Sequence, residues 1–124
     1  YAPPYGIASM VEGGMAYDEG LAQLFRDDLA GEPVREQKMF GGLCFLLNGN
    51  MVAGVYSGGG MFRIDKADRD AALKVAGAEP IRMGKAGREM AGMVGLAPEA
   101  MGDDARRGAL LAMSLGLVRG LPPK

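Results

Sequence analysis

The stretch Lys38–Met51, KMFGGLCFLLNGNM, decides the fold of this chain, because it places two turn signals around one apolar run of strand length. Asn48-Gly49 combines two residue types that tolerate positive φ, so it predicts a tight hairpin and sets the register of its strands. At the other end of the run, Gly41-Gly42 permits a bulge or a sharp bend. The side chains of Met39 and Phe40 are expected to anchor the core.

Outward from this hairpin, the chain alternates between helical and extended patterns. Asp18 is a plausible cap for a first helix that ends at Gly31, and Asp65 and Asp103 can cap two more. The order is helix, antiparallel meander, helix, two strands and helix. It predicts an α+β, two-layer sandwich and not a doubly wound dinucleotide fold. The predicted helices cover 18–30, 65–77 and 103–119, and the predicted strands cover 34–40, 43–47, 51–56, 61–64, 80–83 and 88–96.

The composition excludes several classes of function. The chain has 124 residues, enough for one domain with one core, and contains 21 Gly, 10 Met, one Cys and no His. Without His there is no Ser-His-Asp or Cys-His relay and no His-ligated zinc. With Cys44 alone there is no internal disulfide and no thiolate zinc cluster. We therefore expect no cofactor and no metal.

Charge and targeting signals limit the partners and the compartment. The formal net charge of −1 gives no global field that would attract nucleic acid or an anionic membrane. No apolar run is long enough to span a membrane, and residues 1–14 lack the features of a secretion signal. Their Pro and Gly content without any period predicts a disordered extension or tag, with the domain at 15–124. A lone cysteine and no export signal predict a cytoplasmic protein.

Two glycine-rich segments have the outline of phosphate-binding loops but are predicted to be plain turns. Gly58-Gly59-Gly60 is followed by Met-Phe-Arg-Ile, where a Walker loop needs a lysine and a hydroxyl residue. Gly84-Lys85-Ala86-Gly87 has the GxxG form of a nucleic-acid clamp, but strands flank it where that clamp joins two helices. Arg82, Lys85 and Arg88 form a small basic patch at this turn and are the candidate nucleic-acid contacts.

For the other candidates, packing is the leading interpretation. Neighbouring carboxylates at Asp27-Asp28 and Asp103-Asp104 point about 100° apart on a helix, so they do not converge. Cys44 lies in an apolar strand without adjacent positive charge, which favours a buried thiol. The methionines are expected to fill core gaps, with a Met-rich partner groove as the alternative. Gly108 and Gly116 each cost about 1 kcal/mol inside a helix, so we expect close packing or a dimer contact there.

From Met15 onward, the chain resembles the N-terminal domain of the TfoX (Sxy) competence regulators. Lys38-Met39-Phe40-Gly41-Gly42 resembles the most recognisable motif of that family, and the hairpin Asn48-Gly49-Asn50-Met51 follows it. Weaker agreement comes from Met61–Ile64, Gly87-Arg88 and Leu121–Pro123. None of the motif residues is an evident acid, base or nucleophile, so their role is expected to be structural.

The resemblance implies an α+β sandwich with a five- or six-segment antiparallel sheet, similar to type III secretion chaperones and often dimeric. Full-length regulators carry a second domain and promote the expression of DNA-uptake genes together with the cyclic-AMP receptor regulator. This chain ends at Lys124, so we expect a stand-alone, single-domain member. In Met90–Leu96, similar proteins often carry aromatic residues, and this chain has Ala, Gly and Met, which is expected to weaken a partner surface there.

The leading functional hypothesis is a non-enzymatic interaction module. It is expected to be a homodimer with a protein partner in transcription or competence regulation, without direct contact with nucleic acid or membrane. The alternative is a small nucleic-acid-binding protein that uses the basic residues of 82–88 and Arg106-Arg107. A small enzyme that uses carboxylates, Lys or Tyr ranks last, because the sequence indicates no converging set.

Overall fold

A computed structural model describes residues 17–39, 41–83 and 87–124. In this part of the chain, one six-stranded antiparallel sheet in the order β1-β2-β3-β4-β6-β5 packs against helices, which confirms the predicted α+β fold. The elements are α1 (Glu19–Asp28), β1 (Val34–Met39), β2 (Gly42–Leu47), β3 (Asn50–Tyr56), β4 (Gly59–Arg63), a 3-10 turn (Lys66–Asp68), α2 (Arg69–Leu73), β5 (Ala78–Met83), β6 (Arg88–Leu96), α3 (Pro98–Met101) and α4 (Asp104–Arg119).

Two of the three predicted helix starts, at Asp18 and Asp103, are confirmed by capping hydrogen bonds, whereas Asp65 caps the 3-10 turn and the helix predicted over 65–77 is limited to Arg69–Leu73. The carboxylate of Asp18 accepts from the backbone N–H of Gly20, and that of Asp103 accepts from the backbone N–H groups of Ala105 and Arg106 in the first turn of α4. Pro98 begins the one-turn helix α3 where the sequence predicted only a turn. Proline fits the first helical position because that position has no intrahelical acceptor for an N–H group.

The glycine-containing turns connect the strands of the meander. Asn48 and Gly49 have φ values of 54° and 82° and join β2 to β3, as the sequence predicted. Gly41, at φ 73°, lies in the turn between β1 and β2. Of the bulge or sharp bend predicted at Gly41-Gly42, the structure has the sharp bend, and the irregularity in the pairing of β2 with β3 lies between Phe45 and Leu46. Phe40 lies outside the described residues, as do the predicted extension at 1–14 and the start of the domain at Met15.

The main core lies between the sheet and the helices. Phe25 of α1 packs on Phe45 of β2 and Phe62 of β4, with ring centroids 5.7 and 5.3 Å apart, and all three side chains are fully buried. Leu110 and Val118 of α4 belong to the same cluster. Inclined aromatic pairs of this kind add to the stabilisation that comes from the burial of apolar surface.

A buried arginine joins three helices at the edge of this core. Arg107 of α4 is 4% exposed, and its Nε lies 2.5 Å from Asp28 Oδ2 at the end of α1. The guanidinium also donates to the carbonyl of Met101 in α3 at 2.6 Å and pairs with Asp104 at 2.7 Å. The hydrogen bonds that Arg107 donates to Asp28 raise the pKa of Arg107 above its ordinary value. The hypothesis that Arg107 contacts nucleic acid is therefore wrong, because its charge is committed to the fold.

No helix in the described ranges has the length and apolar character needed to cross a membrane.

Candidate functional site

The two faces of the sheet are covered differently. Side chains alternate along each strand, so Leu43 and Phe45 point to the helices while Cys44 points to the opposite side, here called the outer face. Among the described residues, the apolar cluster on the outer face contains only residues of the strands. The main core also includes residues from α1, α2, α3 and α4. The outer-face cluster consists of Met39, Cys44, Met51, Tyr56, Met61, Ile81, Met90 and Met93.

Methionine dominates the outer face, since five of the ten methionines of the chain are in this cluster. Glycines make room for these long side chains. A Cβ atom at Gly54 would lie 3.0 Å from the terminal methyl of Met61, and one at Gly95 would lie 3.1 Å from Ile81 Cγ1. These glycines therefore have a packing role inside the strands.

A wide bulge in β6 shapes one side of this face. Pro80 of β5 pairs with Val94 of β6, and Arg82 pairs with Glu89. Two residue steps along β5 therefore correspond to five along β6. The additional residues lie within Met90–Met93. Such bulges bend a strand and redirect its side chains.

Arg69, the first residue of α2, holds the bulged segment. Its guanidinium donates to the carbonyls of Ala91 at 2.8 Å and Met93 at 3.3 Å, and it pairs with the carboxylate of Glu89. The side chain is 17% exposed. The planar fork of an arginine suits this arrangement, because it presents several N–H groups in fixed directions.

The bulge forms a wall of a groove of about 810 Å³ on the outer face. Four methionines from three strands, Met39, Met51, Met90 and Met93, line the groove. Arg63, Arg88 and Lys124 also line it, and none of the three takes part in an ion pair with another described residue. A smaller hollow of about 300 Å³ adjoins it and shares Leu46, Gly49 and Lys124. The lining of the groove therefore combines apolar side chains with positive charge.

Glu89 is the acidic residue among those that line the groove, and two arginines neutralise it. Arg69 pairs with one of its carboxylate oxygens, and Arg82 lies 3.5 Å from the other. In the patch predicted from the sequence, Arg82 and Arg88 are exposed on the β5–β6 hairpin, and Lys85 lies outside the described residues. Glu89 thus reduces the positive charge of this patch.

Cys44 is fully buried in the outer-face cluster, as the sequence predicted. Burial raises the pKa of its thiol to about 11. A thiol in this state is a poor nucleophile near neutral pH. Within the described ranges, no three His, Cys, Asp or Glu side chains cluster so that they could hold a metal ion.

The two glycines of the last helix do not pack closely against the described part of the fold. A Cβ atom at Gly108 or Gly116 would meet no atom within 4 Å, and both residues are exposed. The predicted packing role within the fold is therefore wrong, because this side of α4 faces solvent. The dimer contact at these glycines stays a prediction.

Comparison with protein families connects this architecture to known proteins. The family model of the TfoX N-terminal domain matches residues 24–116, which is more than half of the chain. The chain belongs to the TfoX N-terminal domain family. The TfoX N-terminal family is associated with competence and regulatory roles and is not a known enzyme family. The comparisons with curated proteins and with solved structures found no match.

The described residues of the motif that resembles TfoX, Lys38–Gly42 with the Asn48-Gly49 hairpin, contribute to packing and turn geometry. Met39, predicted to anchor the core, is half-buried and packs against the outer-face cluster and not the main core. Gly42 begins β2 opposite Met39, in a place where a Cβ atom would collide with the backbone of β3. Asn48 and Gly49 supply the positive φ values of the hairpin. In this TfoX domain, the motif shapes strands next to the groove and does not supply reactive groups.

Replacement of Arg69 by Ala is expected to lower the free energy of unfolding by about 1–3 kcal/mol, because two backbone carbonyls and Glu89 lose their donor. The measurement is equilibrium denaturation in guanidinium chloride. Arg82→Ala is the matched control: Arg82 pairs with the same Glu89, but its side chain is 63% exposed. Its effect is expected to stay below about 1 kcal/mol. Equal effects of the two variants would show that Arg69 does not hold the bulge.

Proposed function

We propose that this domain is a non-enzymatic protein-interaction module, accessory to regulation of transcription or competence in the cytoplasm, and that it binds its partner through the outer face of the sheet. The observation that carries the proposal is the groove, in which four methionines lie on a sheet face that no described helix covers. Membership of the TfoX N-terminal domain family supports the regulatory setting.

Methionine suits a binding surface because its unbranched, polarisable side chain adapts to different partner shapes. Surfaces rich in methionine can repack against more than one partner. In this domain Met39, Met51 and Met90 are each partly exposed, whereas Met61 and Met93 beneath them are buried. The outer layer is therefore available for contact and the inner layer supports it.

Site-specific photo-cross-linking in cells tests this proposal. With a benzophenone amino acid at Met51, we expect a discrete adduct whose partner, identified by mass spectrometry, is a regulatory protein. We expect the adduct to disappear when Met90 is also changed to Glu. The same probe at the exposed Lys74, which follows α2, serves as the control. Adducts of equal yield at Met51 and Lys74, or none at Met51, would contradict the proposal.

Direct nucleic-acid binding remains the alternative function. It would use Arg82, Lys85 and Arg88 of the β5–β6 hairpin, but Glu89 lies among them and already pairs with Arg82. The experiment that separates the two functions is retention on heparin with a salt titration of DNA binding. Strong, salt-sensitive affinity that is lost when these three residues are neutralised would favour this alternative.

The homodimer also stays a prediction, and Gly108 and Gly116 provide its test. If two copies pair through these glycines, Gly108→Ala with Gly116→Ala should weaken the dimer at least tenfold in analytical ultracentrifugation. In the dissociated monomer, the same change should raise the free energy of unfolding by up to about 1 kcal/mol per site, since the added methyl groups meet no atom. A wild-type chain that stays monomeric at high concentration would contradict the dimer.

A further inference from the structure

The chemistry of the groove limits what its partner can be. Four methionines and Leu46 supply its large apolar side chains, and no aromatic side chain lines it among the described residues. Single-stranded nucleic acids are usually bound by aromatic residues on which the bases stack. An apolar interior without such stacking partners favours the side chains of a protein segment.

The charge of the groove lining is the second limit on the partner. Arg63, Arg88 and Lys124 are positive and free of ion pairs with other described residues, whereas Glu89 is held by Arg69 and Arg82. The groove therefore presents positive charge that nothing in the described part of the fold neutralises. A partner with carboxylates next to its apolar residues would complement this charge, and two copies of this face would repel each other.

The size of the groove is the third limit. About 810 Å³ is within the range of sites that enclose a small ligand, which is room for the few side chains that a short protein segment presents. A protein segment bound in this groove would cross the sheet from Met39 in β1 to the bulge of β6. The bulge itself is fixed by Arg69, so this wall of the groove is already formed before binding.

We propose that the groove binds a short acidic segment of a partner protein, in which apolar side chains contact Met39, Met51 and Met90 while flanking Asp or Glu side chains pair with Arg63 and Arg88. This inference rests on the proposed interaction function and adds the chemistry of the partner.

Selection from a random 12-residue peptide display library on the full chain tests this chemistry. We expect the selected peptides to be enriched in Asp and Glu next to Leu, Met or Phe, and to bind more weakly as salt concentration rises. The proposal is overturned if selected peptides are basic or show no charge bias, or if no peptide is selected. It is also overturned if a duplex or single-stranded DNA probe binds in the groove in preference to the peptides.

Variants link the selected peptides to the groove. The double change Arg63→Glu and Arg88→Glu is expected to weaken binding of a selected, fluorescein-labelled peptide at least tenfold in fluorescence polarisation. Arg106→Glu on α4 is the control and is expected to leave binding unchanged, because Arg106 is exposed on the helical side of the domain. Circular dichroism verifies that each variant is folded. Equal binding by both variants would overturn the assignment to this groove.

The two proposals can fail separately. If photo-cross-linking at Met51 captures a regulatory protein but the selected peptides are not acidic, the interaction function stands and the chemistry assigned to the partner is wrong. If acidic peptides bind the groove but no cross-linked partner forms in cells, the chemistry stands and the function does not. Met51→Glu provides a further check, since it places a negative charge inside the groove and should weaken acidic peptides at least tenfold.

Discussion

Gly42→Ala is expected to lower the free energy of unfolding by about 3 kcal/mol or more. A Cβ atom at this position would lie closer than 3.0 Å to the carbonyl oxygen of Val55. The obstacle is the backbone of β3 and not the end of a flexible side chain, so β2 and β3 have to separate. Since a domain of this size is stabilised by roughly 5–15 kcal/mol, the variant should show a large drop in its denaturation midpoint.

Gly92→Ala is the matched control for this experiment. Gly92 also lies in a strand of the sheet, but a Cβ atom there would meet nothing within 4 Å, and its φ is not in the left-handed region. The change should alter stability by no more than about 0.5 kcal/mol. If Gly42→Ala were as stable as Gly92→Ala in guanidinium denaturation, close approach of β3 could not be the reason for glycine in the family motif.

Arg107→Ala is expected to lower the free energy of unfolding by about 3 kcal/mol, the second large effect on stability. The change removes the side chain that joins α4 to Asp28 of α1 and leaves the carbonyl of Met101 without its donor. The site is almost closed to water, since the side chain of Arg107 is 5% exposed. Water therefore cannot easily replace the lost hydrogen bonds. The measurement is again the free energy of unfolding in denaturant.

Arg106 provides the internal comparison for Arg107, because it is the preceding residue on the same helix. Its side chain is 44% exposed and pairs with Asp103 at 3.4 Å. Exposed ion pairs of this kind contribute little, so Arg106→Ala should change stability by less than about 0.5 kcal/mol. Similar losses for both variants would mean that charge on α4, and not the buried network, stabilises the domain.

The architecture could be predicted from the sequence where local chemistry determines it. Asn48-Gly49 specified a hairpin because few residue pairs adopt its φ values, and Asp18 and Asp103 specified helix starts because their carboxylates satisfy free N–H groups. The burial of Cys44 followed from its apolar neighbours in a strand. Each of these features depends on residues within a few positions of one another.

Features that join distant segments could not be predicted in the same way. The sequence gives no sign that Arg107 is buried and Arg106 exposed, because that difference depends on the position of Asp28, 79 residues earlier. The bulge of β6 depends on where Pro80 lies opposite Val94. The sequence supports a Met-rich groove only as an alternative to core packing, since the methionines are scattered along the chain and meet only when the strands pair.

The order of the strands has a consequence for how the chain folds. Four of the five pairings in the sheet join strands that follow each other directly in sequence, and only the pairing of β4 with β6 spans an intervening strand. The entropy lost in closing a loop grows with the logarithm of its length, so the successive hairpins form at low cost. The longest loop to be closed is the one between β4 and β6. Its closure also positions the bulge of β6 that forms a wall of the groove. Formation of the groove is thus coupled to the strand pairing with the largest sequence separation, and contacts of this kind slow folding.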